Sequence, residues 1–208
     1  IVCTTQPWSR NASPTDVLST PDWNEQGKFS APLISPLPTN LDPAPSMVGT
    51  CRVFVPGHYT AAPALGSYNY FRSGNYLFDG FTLTISNSKV TAGKVLTGNG
   101  GTQAIPNTPC DAAIQGDNVA NVTEAGVTFY LVNRAMFEVR QNGTLEVLRR
   151  KQGKTYVSIH VLDDSLTATD DVILQGPGTN KDMALHGMVW APQARITFSN
   201  VANTAEAQ

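Results

Sequence analysis

The chain has 208 residues, with 14 Lys and Arg against 16 Asp and Glu, a formal net charge of -2 and charged residues at only 14%. That length suits one all-β domain with a sizeable core, or one domain and an extended arm. The charge is too sparse and too acidic to neutralise a run of phosphates, so nucleic acid is excluded as an expected partner. No apolar run approaches the roughly 18 to 20 residues of a membrane-spanning helix.

Taken in chain order, residues 1–50 read as a proline-rich extended arm. Pro7, Pro14, Pro21, Pro32, Pro36, Pro38, Pro43 and Pro45 fall at short intervals. Each removes a ladder donor and holds the residue before it extended, so neither a helix nor a central strand is expected. Trp8, Trp23, Phe29, Leu33 and Ile34 give the arm apolar anchors for docking on a body that spans residues 51–208. The chain opens at Ile1 without Met, so either the ends were processed or this is a segment of something longer; the second is favoured at Gln208, where no capping element is in view.

Cys51–Val55 is the first strand-like run, closed by Pro56-Gly57. Tyr68–Arg72, Asn75–Phe78 and Phe81–Ile85 follow, separated by Ser-Gly and Asp-Gly turns. Residues 98–125, with Gly98, Gly100, Gly101, Pro106, Pro109 and Gly116, break the rhythm as an irregular insertion that Cys110 could tie down. A loop of that length is uncommon without a role, which makes it the leading candidate for a binding loop. From Gly126 onward three β-branched runs, Val127–Val132, Tyr156–Val161 and Leu185–Trp190, recur at intervals of 29 residues. Shorter runs follow at Met136–Val139, Leu145–Leu148 and Arg195–Phe198. Alternation with a fixed repeat is what the stacked coils of a β-helix or related solenoid give.

The three cysteines, Cys3, Cys51 and Cys110, lie 48 and 59 residues apart, which matches no zinc or redox spacing. In an oxidising compartment one pair bridges, and Cys51 with Cys110 is favoured because both border the strand-rich part. Three buried or free thiols are the alternative.

Several groups are candidates for chemistry or binding. Asp163, Asp164, Asp170 and Asp171 flank a turn and could offer calcium some of the roughly six to eight oxygens it takes; solvated turn residues are the plainer reading. Among the crowded aromatics, Tyr68, Tyr70 and Tyr76 are the candidates for a glycan- or protein-binding surface, with core packing for about half of the group as the alternative. His160 and His186 occupy similar places in their runs and could face one another, while His58 stands apart. Asn121-Val-Thr123 and Asn142-Gly-Thr144 fit the N-glycosylation pattern but also suit ordinary turns. No Ser or Thr has a neighbouring base that would make it a nucleophile, and no phosphate loop is present, so no enzyme activity and no obligatory cofactor are expected.

Val53–Tyr59 and Ser73–Asp79, with Leu185–Phe198, resemble turns and a closing coil of bacterial exported β-helical proteins, the pilus-assembly and prepilin-associated proteins of the TadG and PilX-like kind. The resemblance covers residues 51–200. It implies an all-β, right-handed parallel β-helix, exported to the cell surface, in a subunit or accessory component of a pilus, filament or adhesin, with other copies or other appendage proteins as partners. The same segments are similar to ice-binding β-solenoids, which carry Thr in register on one face. Thr82 and Thr84 supply one such pair, but Val127–Phe129 and Tyr156–Ser158 do not continue it. A carbohydrate-binding or carbohydrate-cleaving β-helix is the remaining alternative.

Overall fold

The computed structural model describes residues 34, 36–94, 96, 103–140, 142–152, 155–162, 172–175, 183–191 and 196–199. The protein is all-β, as expected. Its strands in chain order are β1 (Ser46–Val48), β2 (Cys51–Phe54), β3 (Gly57–Tyr59), β4 (Tyr68–Phe71), β5 (Gly74–Asp79), β6 (Thr82–Ser86), β7 (Lys89–Ala92) and β8 (Val127–Val132). They continue with β9 (Met136–Arg140), β10 (Thr144–Val147), β11 (Arg150–Gln152), β12 (Thr155–Val161), β13 (Val172–Gln175), β14 (Met183–Leu185), β15 (Met188–Trp190) and β16 (Ile196–Ser199). A single turn of 3₁₀-helix, Thr108–Cys110, runs into the short helix α1, Asp111–Gln115.

The strands form three sheets. The first has the order β1-β2-β4-β7-β10-β14, the second is β11-β12-β8-β5-β3 with β15 also paired to β12, and the third is β16-β13-β9-β6. All pairings between the named strands are parallel except β1 with β2 and β11 with β12. The chain visits the sheets in one cyclic order. From β4 it passes first, second and third sheet through β5 and β6, then repeats the circuit as β7-β8-β9, β10-β12-β13 and β14-β15-β16.

Parallel register puts the same kind of residue at the same level on every pass. Phe54, Phe71, Ala92, Val147 and Leu185 are successive partners in the first sheet, and Tyr59, Phe78, Leu131 and Val161 in the second. All of them belong to one core cluster, which Leu83, Ile85, Phe137 and Val139 of the third sheet complete. Aromatic rings fill its centre: Phe54 stacks on Phe71 at 4.5 Å, and Phe129 lies 4.9 to 5.6 Å from Phe71, Phe78 and Phe137. Rings at these separations add to the stabilisation from area burial alone.

The 29-residue repeat is only approximate in the paired structure. Phe129 pairs with Ile159 and Val157 with Met188, separations of 30 and 31. The run Leu185–Trp190 is not one strand but two, because the chain turns from the first sheet to the second at Gly187. A Cβ at Gly187 would lie 2.5 Å from Ser158 Oγ. The body also reaches further back than residue 51. Leu41 bridges to His58, the Asp42 amide donates to the His58 carbonyl (2.7 Å), and β1 closes the edge of β2. The prolines of this stretch sit outside the ladders, and Pro43 packs against Gly57, where a Cβ would meet its ring at 2.5 Å.

Sharp corners depend on glycine. Gly126 has φ +83°, and a Cβ there would come within 2.0 Å of the Arg149 carbonyl oxygen. Gly126→Ala is therefore expected to destabilise the fold by about 3 kcal/mol or more in urea denaturation, from left-handed strain plus backbone overlap. Gly49→Ala, with φ +60° and nothing within 4 Å, is expected to cost about 1 kcal/mol. Equal losses would show that close approach at Gly126 is unimportant.

Candidate functional site

Within the expected insertion, residues 103–117 lie as a strap along the outward face of the first sheet. Val53, Tyr70, Thr91 and Glu146 are register neighbours on β2, β4, β7 and β10, one residue removed from the inward row that ends the previous strands. The strap reaches Glu146 first. Its carboxylate, fully buried, accepts hydrogen bonds from the Ala104 amide (2.5 Å) and the Ile105 amide (3.2 Å). Asn107 is next, its side-chain amide donating to Thr91 Oγ1 (3.2 Å) and the Asn69 carbonyl (3.3 Å). Cys110 then forms the expected disulfide with Cys51, with Cα atoms 5.0 Å apart.

Beyond α1 the strap is held again. Asp117 accepts from the Tyr70 hydroxyl (2.7 Å) and the Ser73 amide (2.8 Å). Lys94 Nζ donates to the carbonyls of Gln115 (3.0 Å) and Asp117 (2.9 Å), satisfying acceptors that the short helix leaves open. Between these ties lies a small apolar layer of Cys51, Val53, Tyr70, Cys110 and Ala113, separate from the main core. The charged and amide groups are thus spent on holding the strap to four successive strands.

This explains two of the three aromatic candidates. Tyr70 points outward in the pleat but lies under the strap, 0% exposed. Burial, with the Asp117 charge beside it, pushes its phenol well above the ordinary value and keeps it a neutral donor. Tyr76 points inward, also 0% exposed, with its hydroxyl 2.8 Å from the Arg72 carbonyl and 3.2 Å from that of Phe54. Neither can offer a face to a sugar. Tyr68 is half-buried and packs against the apolar layer under the strap. For Tyr70 and Tyr76 the expected surface is corrected to strap and core packing.

The histidines are likewise separate. His58 Nε2 lies 3.1 Å from Asp79 Oδ2, and Asp79 also accepts from Asn133 (2.7 Å); the Asn133 bond, then that of His58, holds the Asp79 carboxyl below its usual range. His186 donates to Glu146 at 2.9 Å. His160 is 4% exposed beside the Tyr130 ring (5.5 Å) and pairs in register with Trp190, so it does not meet His186. Asp163, Asp164, Asp170 and Asp171 lie outside the described residues, and among the described residues no three His, Cys, Asp or Glu side chains gather as metal ligands.

The Thr pair of β6 has different neighbours from those considered in the sequence. Thr82 and Thr84 stand level with Met136 and Glu138 of β9, and Thr84 donates to Glu138 (3.2 Å). Val127–Phe129 and Tyr156–Ser158 belong to the second sheet. A threonine face in register is absent from these two strands. Asn121 and Asn142 are both turn residues: Asn121 Oδ1 accepts from the amides of Thr123 (3.0 Å) and Glu124 (3.2 Å), and Asn142 donates to Asn87 (3.2 Å).

Glu146, Asp117 and Asn107 carry this site and had no sequence signal. A lone Glu in the alternating run Leu145–Leu148 reads as a solvated position on a half-buried strand. Comparison of the chain with protein-family models, curated proteins and solved structures finds no match.

Two measurements probe these ties. Replacing Cys51 and Cys110 together by Ser opens a loop with a sequence separation of 59 and is expected to lower stability by about 2 to 4 kcal/mol, whereas Tyr70→Phe is expected to cost about 2 kcal/mol for the lost bond to a carboxylate. Losses within experimental error would mean that the strap does not support the sheet. For pH, burial lowers His160 to about 4, and its Nδ1 has no hydrogen-bond partner among the described residues. The unfolded chain takes up that proton first, near 6.5, so stability is complete above this pH and declines toward pH 4. The decline from His160 is up to about 3 kcal/mol, and His160→Gln is expected to flatten that part of the urea-midpoint profile relative to wild type.

Proposed function

We propose that the chain forms a right-handed parallel β-helix that serves as an extracellular structural element, a subunit or accessory component of a bacterial surface appendage or adhesin, without catalysis. The observation that carries this reading is the cyclic passage of the chain through three parallel ladders with one aromatic interior. Parallel crossovers are right-handed in nearly all cases, which supports the hand. A stack of this kind presents few free backbone groups along its length and suits an object exposed to shear and proteases. The buried Cys51–Cys110 disulfide supports export, because such bridges persist in oxidising compartments. The polar groups at the strap support a structural role, since Glu146, Asp117 and Lys94 each bind chain segments together. The likeness of the turns and closing segment to pilus-assembly proteins points the same way.

Assembly is the property to test. Electron microscopy of material released by the source cells is expected to show fibres with this chain as the repeating unit or a regular accessory. Deleting residues 1–33 is expected to leave the circular dichroism of the body unchanged and to abolish assembly. The deletion stops there because residues 40–48 close the edges of β2 and β3. Dispersed particles from intact cells, or fibres from the truncated chain, would overturn the corresponding part of the proposal.

A further inference from the structure

The two ends of the stack differ from its sides. Within the column the core rows are wholly buried, with Leu145, Val147 and Ile159 each 0% exposed. Their partners one pass on, Met183, Leu185 and Val189, stand at the same levels and pack on the same core but are half-buried. The last pass thus leaves part of the apolar column uncovered. At the opposite end, the exposed large apolar side chains among the described residues, Ile34, Leu37, Leu41 and Met47, all lie in the segment that leads into the first pass. Leu41 is 61% exposed beside β3, and Met47 is 57% exposed on β1.

Backbone groups at these ends are open as well. Among the described residues β1 and β14 are the outermost strands of the first sheet, and β15 pairs with β12 at the end of the second. Val48 and Cys51 flank a tight turn, so they form the hydrogen-bonded pair of the hairpin, and Met47 with Arg52 the alternate, non-bonded pair. The amide and carbonyl of Met47 therefore point away from β2. Natural sheets commonly guard such edges with charged side chains or proline. β1 (Ser-Met-Val), β14 (Met-Ala-Leu) and β15 (Met-Val-Trp) contain neither, and what protects them is shortness, 3 residues each.

We propose that the two ends are halves of one interface: the β14–β15 end of one copy docks on the β1 end of the next, and the first sheet continues from molecule to molecule. This rests on the reading of the chain as a structural subunit and adds where its copies touch. The occupant is a second copy because each end offers what the other lacks. Met183, Leu185 and Val189 are short of an apolar cover, and Leu41 and Met47 supply one. No charge on the three edge strands opposes the approach. β14 runs with β10, β7, β4 and β2 while β1 runs against β2, so the new pair is antiparallel. Two different patches on each copy make the contact heterologous, and such a contact propagates as a filament where its rotation does not close a ring. A ladder this short agrees with the further need for residues 1–33.

Met47→Lys places a charge on one edge and Met188→Lys on the other, and neither side chain belongs to the core cluster. In sedimentation velocity of the full chain, at concentrations where wild type associates, each variant alone is expected to stay monomeric with an unchanged urea midpoint. A mixture of the two is expected to form one-to-one dimers, because each keeps the end that the other has lost. Self-association of either variant, or a mixture that stays monomeric, would overturn the contact. Hydrogen exchange of wild type decides the case in which a variant unfolds: the amide of Met47 and amides within Met183–Leu185 are expected to exchange about tenfold slower or more in assembled than in dispersed protein. Fibres in which neither end gains protection overturn this contact and leave the structural role standing. Wild type that never associates overturns both.

Discussion

Everything in this molecule depends on parallel ladders that keep each inward side chain directly over its counterpart on the neighbouring pass. The chain cannot choose its core residues pass by pass. A large ring at one level can meet a ring that stacks on it in the next pass, as Phe71 does on Phe54, while within a pass Phe137 meets Phe129 edge to face. Where rings stop, small and branched residues such as Ala92, Val147 and Val161 take over at the same levels. The interior is one continuous column rather than a set of local contacts, so a change of volume in one pass is felt in its neighbours.

The corners obey the same constraint from the other side. Passes repeat at a fixed spacing only if each corner turns within a few residues, which explains the positive φ at Gly80, Asn87, Gly93, Asn133 and Gly126. Asparagine side chains bind successive corners across the stack, Asn133 donating to Asp79 and Asn142 to Asn87. Polar residues that look incidental along the chain thereby repeat the work of the backbone ladders at the edges of the sheets.

This regularity decides what could be read from the sequence. Period-2 alternation and Gly turns are local, so the strands and the all-β class were legible, and so was the pairing of Cys51 with Cys110, which both border the strand-rich part. The division of Leu185–Trp190 between two sheets was not, because the run is unbroken in hydropathy and only the tight contact at Gly187 marks the corner. The strap was not legible either. An outward Tyr70 or Glu146 has the same sequence environment whether water or another segment lies over it, and here Asp117 and the amides of Ala104 and Ile105 cover them from more than 40 residues away. The true neighbours of Thr84 also follow from sheet assignment, which alternation alone does not supply.

The two ends of the excursion that carries the strap meet at one place. A Cβ on Gly93 would lie 2.6 Å from Gly126 Cα, and Ser73 Oγ accepts from the amides of both Lys94 (3.1 Å) and Gly126 (3.2 Å). The passes before and after are therefore joined across a gap that a tight turn could span, and the residues between are a side branch that imposes no offset on the register. In evolutionary terms this corner is a graft point. Different segments can be lost, gained or exchanged there while the column beneath keeps its order, so diversity among relatives of this chain is expected to concentrate between Gly93 and Gly126.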